Sequence, residues 1–105
     1  MLVTFQSAAA PNVVMLRDLA QYLLGLIGQR LDTRGVILHD DLSGAIRRLE
    51  SAIADEERAE LAFESRQSLR GHRMEAGSGL SQRAWPLLAM MRQAHIQNAD
   101  IIWGL

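Results

Sequence analysis

Two short runs, Met1–Phe5 (MLVTF) and Asp100–Gly104 (DIIWG), are apolar and rich in β-branched or aromatic residues. Nearly everything between them places its apolar residues at helical spacing. The first pattern predicts strands and the second predicts helices. Strands at opposite ends of a chain can satisfy their backbone groups by pairing with each other. The sequence therefore reads as one complete domain over residues 1–105, tied together at its termini. The expected architecture is α+β and mostly helical, with three helices packed on a small antiparallel sheet formed by the N- and C-terminal strands.

Between the strands, Gln6–Pro11 reads as a connector and Asn12 as the N-cap of a first helix from Val13 to about Ile27. Its stripe is Val13, Leu16, Leu19, Ala20, Leu23, Leu24 and Ile27, and Met15, Tyr22 and Leu26 widen it beyond one face. A helix this apolar either forms the centre of the core or lies against a partner subunit. Gly28 suits a left-handed C-terminal end. Gln29–Gly35 is then a polar turn, and Val36–Leu38 is a candidate third short strand.

Asp40 or Asp41 caps a second helix starting near Leu42, with Leu42, Ile46, Leu49 and Ile53 as its buried stripe. Past Ile53 the pattern turns charged, so residues 54–79 read as a solvated helical arm and loop, unless Ala59, Ala62 and Phe63 dock elsewhere. Gly71–Gly79 is the clearest loop. Ser81 is the expected cap of a third helix carrying Ala84, Leu88 and Met91. Pro86 predicts a kink in that helix or a start at Trp85. Asn98 is suited to the left-handed residue before the last strand.

Composition narrows the function classes. Hydrophobic residues make up 49% and charged residues 22%, ordinary for a globular domain. There is no cysteine, which excludes disulfides, zinc–thiolate sites and thiol nucleophiles. Leu19–Ile27, the longest apolar stretch, is too short to span a bilayer, and no basic-then-apolar leader precedes it. No membrane partner is expected, and the cytoplasm is the default location. A net charge of −1 argues against a general nucleic-acid surface. Arg66, Arg70 and Arg73 could share a helix face, but Glu56, Glu57, Glu60 and Glu64 offset them.

The segments MLVTFQS at Met1–Ser7, GVILHDDLSGAIRRLE at Gly35–Glu50, SQRAWPLLAMM from Ser81 and ADIIW ending at Trp103 together carry a family resemblance. They resemble an uncharacterised bacterial family of short proteins, domain of unknown function 1840. The likeness covers most of the chain outside residues 54–79. That family implies no activity, cofactor or catalytic residue.

Candidate chemistry is sparse. From Arg30 to Asp41 the spacing of Gly35, Ile37 and Asp41 matches a helix–loop–helix calcium loop, but Arg30 and Arg34 occupy ligand positions and would repel the cation. A tight helix–helix connection with a Gly turn explains the same residues. His39, Asp40 and Asp41 are the candidates for a metal or small-ligand site, although the polar cap of a helix accounts for them as well. His95 reads as a partly buried residue near a helix C-terminus. Ser7, His39 and Asp100 can be written as a catalytic triad, as can such a trio in many chains, and no nucleophile elbow or phosphate loop supports it. No cofactor and no catalytic residue is expected.

Met15, Trp85, Met90 and Met91 could line an apolar groove or simply fill the core. Candidate interface residues are Tyr22, Leu26, Phe63, Met90 and Trp103, with Trp103 expected to pack over the first helix. The expected function is that of a non-catalytic structural or protein-interaction module, forming a homodimer or binding another protein; the alternative is ligand or metal binding at His39–Asp41.

Overall fold

The computed structural model describes the backbone of residues 1–67 and 79–105, and the side chains of residues 1–59 and 80–105. Strand β1 (Leu2–Ser7) alternates as a half-covered strand must: Val3 and Phe5 are fully buried, whereas Leu2 and Gln6 face outward. Strand β4 (Ile101–Gly104) does the same, with Ile101 and Trp103 inside and Ile102 outside. The two pair antiparallel, Thr4 opposite Gly104, Phe5 opposite Trp103 and Gln6 opposite Ile102. The ribbon of terminal strands is therefore present, and it forms the centre of a larger sheet.

Two further strands flank it. β2 (Ala10–Leu16) adds to β1 and β3 (Arg34–Ile37) adds to β4, giving the order β2-β1-β4-β3 with every pair antiparallel. The expected helix from Val13 does not form there. Val13 and Val14 are β-branched and pair with Phe5 and Thr4 across a hairpin that turns at Ala8 and Ala9. The Ser7 hydroxyl accepts the Ala9 N–H at 3.2 Å within that turn. Pro11 is tolerated because β2 is an edge strand. Asn12 is accordingly a strand residue, and Gln6–Pro11 belongs to two strands and their turn.

Helix α1 (Arg17–Leu26) begins only after β2, with Asp18 in its first turn, where a carboxylate complements the exposed N–H groups. The Arg17 N–H donates to the Met1 carbonyl at 3.0 Å and holds the start of α1 against the first residue. At its other end Gly28 adopts φ of 86°, as its position after the apolar stripe suggested. The Arg48 guanidinium donates to the Ile27 carbonyl at 3.1 Å, tying the end of α1 to the helix that follows.

The third strand lies at Arg34–Ile37, slightly before the expected Val36–Leu38, and takes Gly35 out of any turn. Gly35 sits opposite Trp103 in the ladder, and the indole lies over its α-carbon where a Cβ would otherwise project. Trp103 packs there and against Phe5, with ring centroids 6.5 Å apart at 45°. It belongs to the same core cluster as Ala20, Leu23 and Leu24 of α1.

A short 3-10 turn (His39–Asp41) leads into α2 (Leu42–Gln67), which starts where the sequence pattern placed it. Leu42 and Leu49 are buried, and Ile46 and Ile53 pack partly buried beside them. Helix α3 (Gly79–Ile96) begins before Ser81 and Trp85, so neither marks its start. Pro86 lies inside it, and without an N–H it cannot bond the carbonyl one turn earlier. Asn98 takes a φ of 54° in the turn before β4, as expected.

The helices gather on one face of the sheet. Ala20, Leu23 and Leu24 from α1, Leu42 and Leu49 from α2, and Ala84, Leu87 and Met91 from α3 join Val3, Phe5, Ile37 and Ile101 in a single core cluster. The fold is a two-layer α+β domain. Most of the loop expected at Gly71–Gly79 lies outside the described residues.

Candidate interaction face and the His39 cluster

Because the described helices share one side, the other side of the sheet is defined by the residues that alternate outward. Pairing places Leu2 beside Leu16, Val14 beside Thr4, and Thr4, Gly104 and Arg34 in one row. The next row holds Gln6, Ile102 and Val36. Five of these outward residues are large aliphatics: Leu2 is 55% exposed, Val14 53%, Leu16 64%, Val36 41% and Ile102 51%. Such residues are normally shielded when they sit together on a sheet face. Arg34 is the only charged side chain among these outward-facing strand residues, and it lies on an edge strand. The face is thus nearly uncharged and mostly apolar.

A second constellation lies where β3 and β4 stop pairing, just beyond the Ile37–Ile101 pair. One carboxylate oxygen of Asp100, Oδ1, accepts the His39 backbone N–H at 2.7 Å and lies 2.9 Å from the His39 ring Nδ1. That contact requires Nδ1 to carry the proton. The other ring nitrogen, Nε2, lies 3.3 Å from Asp40 Oδ1, so a proton there also meets a carboxylate. Hydrogen bonding to Asp100 and the nearby charge of Asp40 raise the His39 pKa above its ordinary value. The same bonds from His39 hold the Asp100 carboxyl below its own.

The arrangement works as a cap contributed from a distant part of the chain. His39 opens the 3-10 turn ahead of α2, and its N-cap residue, Leu38, has no side chain able to accept a hydrogen bond. Asp100 supplies that acceptor for the 3-10 turn, while Asp40 and Asp41, the expected caps of α2, are the last two residues of the turn and directly precede Leu42. Of the trio Ser7, His39 and Asp100, the structure joins the last two, while the Ser7 hydroxyl serves its own turn. Among the described residues, no three His, Cys, Asp or Glu side chains are grouped to hold a metal ion. The calcium-loop spacing is interrupted by β3, which puts Gly35 in a strand.

Beside the cluster, an open cleft of about 370 Å³ lies between the end of α1 and the start of α2, lined by Gly28, Asp40, Asp41, Ser43, Arg47 and Arg48 among others. Acids and guanidinium groups share its wall, so its field has no single sign.

The remaining candidates separate clearly. Met90 and Trp103 are buried in the core of the single chain and offer a partner nothing, which corrects their assignment to an interface. Both fill the space between layers, and so does Met91. Leu26 packs partly against the core, Tyr22 is half exposed on α1, and the Phe63 side chain lies outside those described. His95 is exposed, not partly buried. Trp85 is also exposed and lies under the Arg92 guanidinium, 5.3 Å from its ring centroid, while Arg92 bridges to Glu50 on α2 at 2.6 Å. Leu2, Val14, Leu16, Val36 and Ile102 were not singled out as surface from sequence. Their signal was available: a strand apolar at both odd and even positions has two faces to cover.

A two-layer α+β domain with one sheet face left open by the described helices is the class these features define. The chain belongs to a family known as domain of unknown function (DUF1840), whose family model matches residues 1–103. No curated protein and no solved structure matches the chain. Among the described residues, no helix is long and apolar enough to cross a membrane.

Proposed function

We propose that the protein is a non-catalytic interaction module of the cytoplasm whose outer sheet face is its contact surface. The observation that carries this reading is the cluster of half-exposed aliphatics at Leu2, Val14, Leu16, Val36 and Ile102 on a face that none of the described helices covers. Keeping that much aliphatic surface in water is unfavourable, and a protein contact removes it. The His39–Asp100 contact supports the same reading, because it ties the 3-10 turn ahead of α2 to the residue preceding β4 and so has a structural role of its own. The test is a photo-crosslinking residue placed at Ile102 and, as a control, at Arg58 on α2, in cells that make the protein. Adducts at 102 but not at 58 support the reading. No adduct at 102 overturns it.

A second reading, binding of a small polar ligand beside His39–Asp41, draws on the cleft that Asp40, Asp41, Ser43 and Arg47 line. A screen of divalent metals and small anions that leaves the melting temperature unmoved would remove it.

A further inference from the structure

We infer that the occupant of the outer sheet face is a second copy of this chain, packed sheet on sheet across a twofold axis. This rests on the interaction reading above and goes further by naming the partner.

The position of the apolar residues is the first argument. Leu2, Leu16 and Val14 lie toward one corner of the face, on β1 and β2, whereas Ile102 and Val36 lie toward the diagonally opposite corner, on β4 and β3. Thr4 and Gly104 occupy the middle row between them. The apolar surface is therefore a diagonal band. At about 4.8 Å between strands and about 6.7 Å per two residues, the face is nearly square, roughly 14 Å by 13 Å between outermost residue positions. A twofold axis along that diagonal turns each corner onto itself, so apolar meets apolar at both ends. The same rotation crosses the strands of the two sheets at nearly a right angle, one of the two arrangements sheets adopt when they pack face to face. An axis parallel or perpendicular to the strands would instead set each apolar corner against Gln6 or Arg34.

Charge is the second argument. A partner selected by electrostatics needs a patch of one sign, and this face offers only Arg34, on an edge strand at its margin. A nearly uncharged face does not repel its own copy.

Area is the third. Five aliphatic side chains at about half exposure leave on the order of 450 Å² in water per copy, so pairing two copies removes about 900 Å² of apolar surface. With Thr4, Gln6 and Arg34 included, the contact passes the roughly 1,000 Å² expected of a specific interface. Edge-to-edge pairing is a poorer route, since β2 carries Pro11 and β3 has only the span Arg34–Ile37.

The experiment is sedimentation velocity on the purified full chain from about 1 to 100 μM, a range that brackets typical dimers of this size. The expected result is a species of twice 11.7 kDa. Ile102→Lys and Val14→Lys should each weaken it on the order of 100-fold, because an ammonium would be buried without a partner, while the circular dichroism stays unchanged. The chain has no cysteine, so Ile102→Cys with a short bismaleimide gives an independent reading. A covalent dimer at position 102 and none for Ser51→Cys, on the exposed side of α2, is expected. A monomer throughout the range, a dimer indifferent to both lysine variants, or no covalent dimer at 102 each overturns the inference. If the lysine variants fail to fold, the thiol result decides. A monomeric purified chain that still forms an adduct with a different protein at 102 in cells would remove the second copy and leave the interaction reading standing; with no adduct, both fail.

Discussion

Gly35 shows how much one position can depend on its neighbour across a ladder. The Trp103 indole fills the space a side chain there would need, and backbone pairing fixes both residues. Gly35→Ala is therefore expected to cost about 1–3 kcal/mol, as inserting atoms into a packed site does, read as a lower denaturant midpoint. Gly44 supplies the contrast. It lies inside α2 with only the far end of Arg47 within reach of an added methyl, so Gly44→Ala should be neutral or stabilising by up to about 1 kcal/mol.

His39 makes a prediction in pH. Its pKa is raised, so its share of the stability is complete below its ordinary value of 6.5 and is lost as pH rises through the folded-state value. Asp100 is shifted downward, so its share is complete above its ordinary value of 3.8 and is lost as pH falls through the folded-state value. Between 3.8 and 6.5 both contributions hold in full. In an NMR titration of the imidazole, Asp100→Asn should bring the His39 midpoint down toward its ordinary value and flatten the alkaline side of the stability profile. A His39 midpoint that stays where it was would show that Asp100 is not the cause.

At the scale of elements, the junction of α1 and α2 depends on Arg48, whose guanidinium takes the Ile27 carbonyl left free at the end of α1. Arg48→Ala should cost on the order of 1 kcal/mol in a chemical melt, with Arg48→Lys between it and the parent. The elements also differ in how legible they were. β1 and β4 are bounded by connectors and rich in β-branched and aromatic residues, so composition identified them. The start of α2 was legible because Leu42, Ile46, Leu49 and Ile53 repeat at helical spacing. β2 was not, since Val13–Leu16 is all apolar and runs without a break into the stripe of α1; periodicity cannot separate a strand from a helix in such a run. Two local features did mark the boundary: paired β-branched residues at Val13 and Val14, and the polar pair Arg17–Asp18 that opens the helix. Missing β2 removed two of the three residues of one apolar corner of the outer face, Val14 and Leu16, from view. The His39–Asp100 contact was hidden for another reason, because it joins residues far apart in sequence and only the register of β3 on β4 brings them together.

For the molecule as a whole, the central place of β4 sets its tolerance to truncation. Ile101 and Trp103 are buried, and both β1 and β3 hydrogen-bond to that strand. Deleting residues 101–105 should abolish cooperative thermal unfolding, because it opens the middle of the sheet and empties part of the core. Loss of an edge strand would leave the remaining ladder intact by comparison.

The same strand order bears on how the molecule is born. During synthesis the β1–β2 hairpin leaves the ribosome first and β4 emerges after every helix, so the slot between β1 and β3 stays vacant until translation of the sheet is nearly complete. Until then β1 lacks its second neighbour, and an unpaired strand edge is a template for pairing with another chain.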